Sequence, residues 1–117
     1  MVEKLTPSSP NSRIIDPGIT LQLANGKSLT GRLEYFIPSK NLVVFDDDSL
    51  EPVTLTVLVA EAPSEHAALG SDEVLLRNWT DLRGAPAALA GVGIVELTGQ
   101  EVKVGMFRLQ ALVARLL

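Results

Sequence analysis

The side chains best suited to catalysis or metal binding are few and scattered in this 117-residue chain. His66, the sole histidine, is better explained as an exposed residue of a helical turn than as a general base. Asp46–Asp48 offers carboxylate oxygens to a hard cation, but it lacks the alternating ligands and the glycine of a calcium-binding loop. Gly91-Val92-Gly93 precedes a predicted strand, and no lysine follows at the spacing of a phosphate-binding loop. There is no cysteine, which excludes thiol catalysis and zinc-thiolate sites. We therefore expect a non-catalytic protein with no metal site and no cofactor.

The segment from Ile19 to Asp46 has the clearest pattern of secondary structure. Apolar residues alternate with polar ones after Ile19, which predicts a strand with one buried face. Asn25-Gly26 predicts a two-residue type I′ hairpin turn, since these residues tolerate positive φ best. Gly31 interrupts the return strand, where we expect a bend or a close approach of another backbone. A third strand is predicted from Asn41 to Asp46.

The remainder of the chain predicts further short strands and helical turns. Val53 to Ala60 alternates and is rich in β-branched residues, so it predicts a strand. The other predicted elements are a capped helical turn between Ser64 and Gly70, a strand at Glu73–Arg77, a helix of about two turns after Pro86, a hairpin of Val92–Glu96 and Glu101–Arg108 around Thr98-Gly99-Gln100, and a last strand from Ala111 to Leu117. Trp79 is expected to anchor a core rather than to stack on a base.

Two segments carry a resemblance to a known family. The first contains Leu23, Gly26, Leu29, Gly31, Leu33 and Asn41. At these intervals it resembles the first motif of Sm-like proteins, including the bacterial Hfq branch, and Met106–Val113 is similar to their second motif. The resemblance implies a mainly β fold, a small bent-sheet (Sm-like) barrel with an inserted segment of short strands and helical turns. The expected organisation is a flexible leader over residues 1–13 and a single barrel domain over residues 14–117, with an insertion at about 47–103. A different small β-barrel, with Val53 to Ala60 as an integral strand, is the alternative.

The resemblance also implies a function. Sm-like proteins form rings through edge-strand pairing and hold single-stranded RNA in pockets between subunits. Carried over to this chain, the RNA-binding positions are Lys40, Asn41, Arg108 and Gln110, and the chain is expected to be a homo-oligomer. Asn41 is equally well explained as a turn residue that satisfies local backbone groups.

Charge and sequence departures favour a second hypothesis, a protein-interaction or assembly barrel that binds no nucleic acid. The net charge of −4 opposes attraction to a phosphate backbone. Ile37 stands where Sm proteins usually carry an acid, and Leu109 and Gln110 stand where Hfq proteins carry a Lys-His pair. A protein partner would then bind through edge strands or through the insertion. No segment has the apolar length of a membrane span or the pattern of a secretion signal, so we expect no membrane partner and a cytoplasmic protein.

Overall fold

The computed structural model describes residues 11–47, 51–58 and 63–117. Within these ranges the chain is mainly β, which confirms the predicted class. The strands are β1 (Ser12–Gln22), β2 (Ser28–Phe36), β3 (Asn41–Asp46), β4 (Pro52–Thr54), β5 (Glu73–Arg77), β6 (Val95–Val104) and β7 (Leu109–Leu116), and the helices are α1 (Pro63–Ala67) and α2 (Ala85–Gly91), with a 3-10 turn at Thr80–Leu82 between them. Residues 1–10 of the predicted leader lie outside the described residues.

The first sheet has four antiparallel strands in the order β1-β2-β3-β4. Its first hairpin differs from the predicted type I′ turn. Leu23 N–H donates to the Lys27 carbonyl at 2.8 Å, which leaves a three-residue loop, and of these residues only Gly26 has positive φ. Asn25 instead accepts a hydrogen bond from Lys27 N–H through its side chain. One glycine in the left-handed region thus turns the chain, as in three-residue hairpin loops.

Gly31 lies where two backbones approach closely, which confirms the prediction for this residue. A Cβ atom added at Gly31 would lie 2.0 Å from the carbonyl oxygen of Phe45 on β3. No side chain fits at that separation, so the pairing of β2 with β3 requires glycine here.

A short segment after β4 connects the first sheet to the second. Leu55 N–H donates to the Leu42 carbonyl of β3 at 2.8 Å, and the Leu55 carbonyl accepts from Arg77 N–H of β5 at 2.9 Å. Thr56 forms an isolated antiparallel bridge with Leu76. The predicted strand from Val53 to Ala60 is therefore divided between β4, which pairs with β3, and residues 55–57, which also contact β5; residues 59 and 60 lie outside the described residues.

The second sheet has three antiparallel strands in the order β5-β7-β6. The predicted strand at Glu73–Arg77 is confirmed as β5. The predicted hairpin around Thr98-Gly99-Gln100 is wrong, because these residues form an irregularity inside the continuous strand β6, where the register shifts between Leu97 and Glu101. The hairpin of this sheet is formed by β6 and β7, and its turn is at residues 105–108.

The main hydrophobic core draws on both sheets and on α2. Leu21 and Leu33 of the first sheet, Val74 and Val95 of the second and Leu89 of α2 belong to one buried cluster. A second cluster lies on the opposite face of the second sheet and includes Val57, Leu75, Val104, Ala111 and Val113, with Trp79 packed against it. Trp79 therefore contacts a core cluster, as predicted.

The predicted closed barrel is wrong for the described residues. Their two sheets stay open, since β1 at one end pairs only with β2 and β6 at the other pairs only with β7. The helix α2 contacts β1, β5 and β6, and buries Leu89 between them. The helix α2 therefore packs against both of these edge strands, β1 and β6. Among the described residues, no helix has the length and apolar character needed to cross a membrane.

Candidate interaction surface

Lys40 and Asn41 lie at the start of β3, and both side chains bind other parts of the chain. Lys40 has positive φ, and its ammonium donates to the Gly70 carbonyl at 2.7 Å. The Asn41 side-chain carbonyl accepts a 2.8 Å hydrogen bond from the hydroxyl of Thr56, and the Thr56 oxygen accepts from Leu42 N–H at 3.3 Å. Asn41 therefore helps to hold the buried segment that connects the sheets, and its partner is a side chain fifteen residues away rather than a local backbone group.

Gln110 belongs to a chain of polar side chains on the second sheet. Its side-chain carbonyl accepts a hydrogen bond from the Asn78 amide, and its own amide donates to the Glu101 carboxylate. That hydrogen bond holds the pKa of the Glu101 carboxyl below its ordinary value, and nearby Lys103 lowers it further. The Asn78 side-chain carbonyl in turn accepts from Gly84 N–H at 2.9 Å, just before α2. The network thus joins β6, β7 and the residue that follows β5 to the residue before α2.

Arg108 is the most exposed of the four residues predicted to bind RNA. It lies in the turn between β6 and β7, and its φ is 51°. Lys40 has a φ of 57° in the turn before β3, so both residues adopt the left-handed conformation. Arg108 N–H donates to the Gly105 carbonyl at 3.2 Å and closes this turn.

The four predicted positions fall into two groups on different sheets. Lys40 and Asn41 belong to the edge of the first sheet that meets residues 55–57, whereas Arg108 and Gln110 belong to the β6–β7 hairpin. In the hydrogen-bonded order, residues 55–57 and β5 lie between β3 and β7. Within one chain, therefore, the two groups do not lie on neighbouring strands.

The turn between β6 and β7 exposes two large apolar side chains that sequence reasoning missed. Met106 is 87% exposed and Phe107 is 80% exposed. The predicted strand Glu101–Arg108 places both residues near its end, where alternation would bury one of them. The sequence signal for a turn here was Gly105, which follows the alternating residues of β6, since glycine readily adopts positive φ. Gly105 does have positive φ in the structure.

The outer edge of β6 leads directly to this turn. Among the described residues β6 pairs only with β7, so one row of its backbone N–H and C=O groups faces outward. The segment from Glu101 to Val104 pairs with β7 without a register shift and contains no proline. We refer to the outer edge of residues 101–104 together with Met106 and Phe107 as the β6 surface.

Beside the β6 surface, α1 and the second sheet line a partly open cavity of about 180 Å³. The cavity is lined by apolar residues of all three strands and by polar residues of α1, β5 and β6. These are Ser64, Glu65, Ala68, Leu69, Glu73, Leu75, Gln100, Val102 and Val113.

The described residues contain no group of three histidine, cysteine or acidic residues placed to hold a metal ion. The buried acid Glu34 accepts a hydrogen bond from the Ser12 hydroxyl at 2.5 Å and lies 3.3 Å from the Arg32 guanidinium, which stacks on Phe45. This carboxylate therefore holds β1 to β2. The side chain of His66 and all of Asp48 lie outside the described part of the structure.

Comparison of the chain with family models, with curated proteins and with solved structures found no match.

Proposed function

We propose that this protein is a non-catalytic protein-interaction module that binds an extended segment of a partner protein along the β6 surface. The observation that carries the proposal is the combination of an open strand edge in β6 with two exposed apolar side chains, Met106 and Phe107, at its end. An added strand would form backbone hydrogen bonds with the edge and bury these side chains.

The opposite end of the fold is a poorer template for strand addition. The edge strand β1 has register shifts on both sides of Asp16, and Pro17 lacks the N–H group that a strand ladder requires. Such interruptions protect an edge against pairing. In β6 the irregularity ends before Glu101, which leaves a regular edge up to Val104.

The apolar side chains give the β6 surface a source of binding energy. Met and aromatic residues are enriched where proteins bind one another, and a methionine side chain adapts to different partners. Because Met106 and Phe107 are almost fully exposed, a partner that covered them would gain the hydrophobic free energy that folding of this chain leaves unused.

Charge supports a protein partner over RNA. The chain carries a net charge of −4, and three of the four residues predicted to bind RNA already hydrogen-bond within the chain. RNA binding, a ring of subunits and membership of the Sm-like family remain predictions. RNA binding is tested with uridine-rich and adenine-rich oligonucleotides at about 50 mM salt, where phosphate contacts are strong.

The test of the proposed function uses the full chain and a library of random octapeptides displayed on phage. We expect peptides rich in β-forming residues to be recovered. Their binding should shift the backbone amide NMR signals of residues 101–108 and leave those of β1 unchanged. A variant with both Met106→Ser and Phe107→Ser should bind the same peptides at least about tenfold more weakly, because an aromatic anchor commonly contributes more than ~1 kcal/mol.

Ile37→Ser is the matched control, since Ile37 is 51% exposed in the turn after β2. It should leave peptide binding unchanged. Recovery of no binding peptides, or amide shifts confined to the first sheet, would contradict the proposal. If a second copy of this chain bound the same edge, the molecular mass measured by sedimentation would rise with protein concentration. That rise should disappear in the variant with Met106→Ser and Phe107→Ser.

A further inference from the structure

The regular part of the β6 edge carries opposite charges on either side of a valine. Glu101 and Lys103 share one face of the sheet, where the Lys103 ammonium lies 3.4 Å from the Glu101 carboxylate. The Gln110 amide of β7 donates to the same carboxylate. The Lys103 side chain is still 42% exposed and the Glu101 side chain 41% exposed, so each has room for a further partner. Val102 lies on the other face and packs against the second core cluster.

A second copy of the chain can meet this edge across a two-fold axis. When two identical strands pair in this antiparallel way, one residue lies opposite its own copy. Residues equally far before and after it then lie opposite one another. Within the regular segment from Glu101 to Val104 the axis can pass through any of four residues, and each choice brings different side chains together.

Charge and backbone conformation select the position of the axis. With the axis at Val102, Glu101 of each copy lies opposite Lys103 of the other, and two ion pairs form between the strands. With the axis at Glu101 or at Lys103, two like charges lie directly opposite one another, which destabilises a strand pair. With the axis at Val104, β6 would have to pair with the turn that begins at Gly105, which has positive φ. The register centred on Val102 is therefore favoured.

The same register brings apolar side chains together. Val102 of one copy would lie opposite Val102 of the other, which extends the second core cluster across the axis. Residues 105–107 would lie beside residues 97–99 of the other copy. Met106 and Phe107 would thus approach the irregular part of the other β6, where Leu97 is 37% exposed. Pairing would remove exposed apolar surface from water at both ends of the interface.

We propose that the β6 surfaces of two chains pair with each other in this two-fold register, so that self-association covers the strand edge until a partner segment displaces the second copy. Such a pair is closed at two subunits, unlike the ring that the Sm-like resemblance implies. The effect on partner binding rests on the proposed function, whereas the pairing itself does not.

The first test is the mass of the natural chain in sedimentation. The regular edge is short, so the interface is small and the association weak. We expect the mass to rise from that of one chain towards that of two between about 10 μM and about 1 mM protein. A mass of one chain over this whole range would overturn the inference.

Charge reversal tests the register. Glu101→Lys and Lys103→Glu each place like charges opposite one another, so each variant alone should associate at least about tenfold more weakly than the natural chain. An equimolar mixture of the two variants should regain association, because every basic position then faces an acidic one. Asp47→Lys and Lys27→Glu are the matched controls, since they make the same charge changes at exposed residues outside β6. Both controls should associate like the natural chain.

A double variant separates loss of pairing from loss of folding. Glu101→Lys combined with Lys103→Glu keeps opposite charges within the chain and restores them between the copies, so this variant should associate like the natural chain. Single variants that associate as strongly as the natural chain would overturn the register. So would a mixture that associates no more than its components.

Peptides that bind the β6 surface connect the pairing to the proposed function. A peptide recovered from the phage library should lower the mass of the natural chain to that of one chain with its peptide, because both need the same edge. Peptide binding that leaves the mass of two chains unchanged would overturn the covering role. If no peptide binds while the charge variants behave as expected, the proposed function fails and the pairing stands. If peptides bind and the natural chain never associates, the pairing fails and the proposed function stands.

Discussion

The surroundings of Tyr35 in the folded chain change the pKa of its phenol. It is 5% exposed in the main core, and the Arg13 guanidinium lies 5.8 Å from the centre of its ring. Burial raises the pKa of the Tyr35 phenol above its ordinary value of 10.0, and Arg13 offsets part of this rise because a cation favours the phenolate. The two effects oppose each other, and burial is the larger.

The first prediction concerns alkaline pH. Since the pKa of Tyr35 is higher in the folded state, the unfolded state loses this proton first. The resulting contribution to stability is complete below pH 10.0 and is lost as the pH rises through the folded-state pKa. Tyr35 is the sole tyrosine, so phenolate absorbance reports on it alone. We expect its midpoint above 10.0 in the folded chain and a return to the ordinary value in denaturant.

Two charge variants check the physical cause of this shift. Arg13→Gln should raise the Tyr35 midpoint further, because it removes the nearby cation. Lys27→Gln removes the same charge from the exposed hairpin loop and should leave the midpoint unchanged. A midpoint that is the same in folded and denatured chains would show that the ring is in contact with water.

At the scale of a single strand pair, Gly31 determines how closely β2 and β3 approach. We predict that Gly31→Ala lowers the free energy of unfolding by about 1–3 kcal/mol, because its Cβ would overlap the Phe45 carbonyl and force the strands apart. Gly18→Ala is the matched control, since its Cβ would meet nothing within 4 Å. That change should stay within about 0.5 kcal/mol. Denaturant titration measures both values, and an equal midpoint for the two variants would contradict the argument.

Short-range patterns predicted individual strands well. Alternation and turn residues located β3 and β5 at their observed bounds, since these signals depend on neighbouring residues. The same approach failed at Thr98-Gly99-Gln100. Gly99 has positive φ there, as in a hairpin turn, but the chain continues in the same direction as an irregular strand. A turn and a bulge use the same residue types, and pairing with β7 decides between them.

Contacts between residues far apart in the sequence could not be predicted from local patterns. Asn41 was identified as a polar residue at a strand start, but its partner Thr56 is fifteen residues away and belongs to the segment between the sheets. The open arrangement of the two sheets, with α2 packed against β1, β5 and β6, likewise depends on contacts between distant segments, which no local pattern encodes. The exposure of Met106 and Phe107 depends likewise on the register of β6 against β7, which places both residues in the turn between these strands.

The molecule as a whole has two open sheets that share one main core. Leu33 of the first sheet and Val74 of the second are both fully buried in that core, and Leu89 of α2 packs between them. Residues 55–57 add backbone hydrogen bonds to β3 and to β5. Neither sheet could lose its structure without exposing apolar side chains of the other, so we expect the two sheets to unfold together.

The chain contains its own probes for this last prediction. Tyr35 lies in the first sheet, and Trp79, the sole tryptophan, packs against the core cluster on the far face of the second sheet. Tyrosine absorbance and tryptophan fluorescence should therefore give the same midpoint in denaturant. Leu89→Ala should lower both midpoints equally, by a loss of about 2–5 kcal/mol, because the cavity it leaves is in the shared core. If Trp79 responded at a lower denaturant concentration than Tyr35, the second sheet would unfold separately, and the shared core would contribute less than the packing within each sheet.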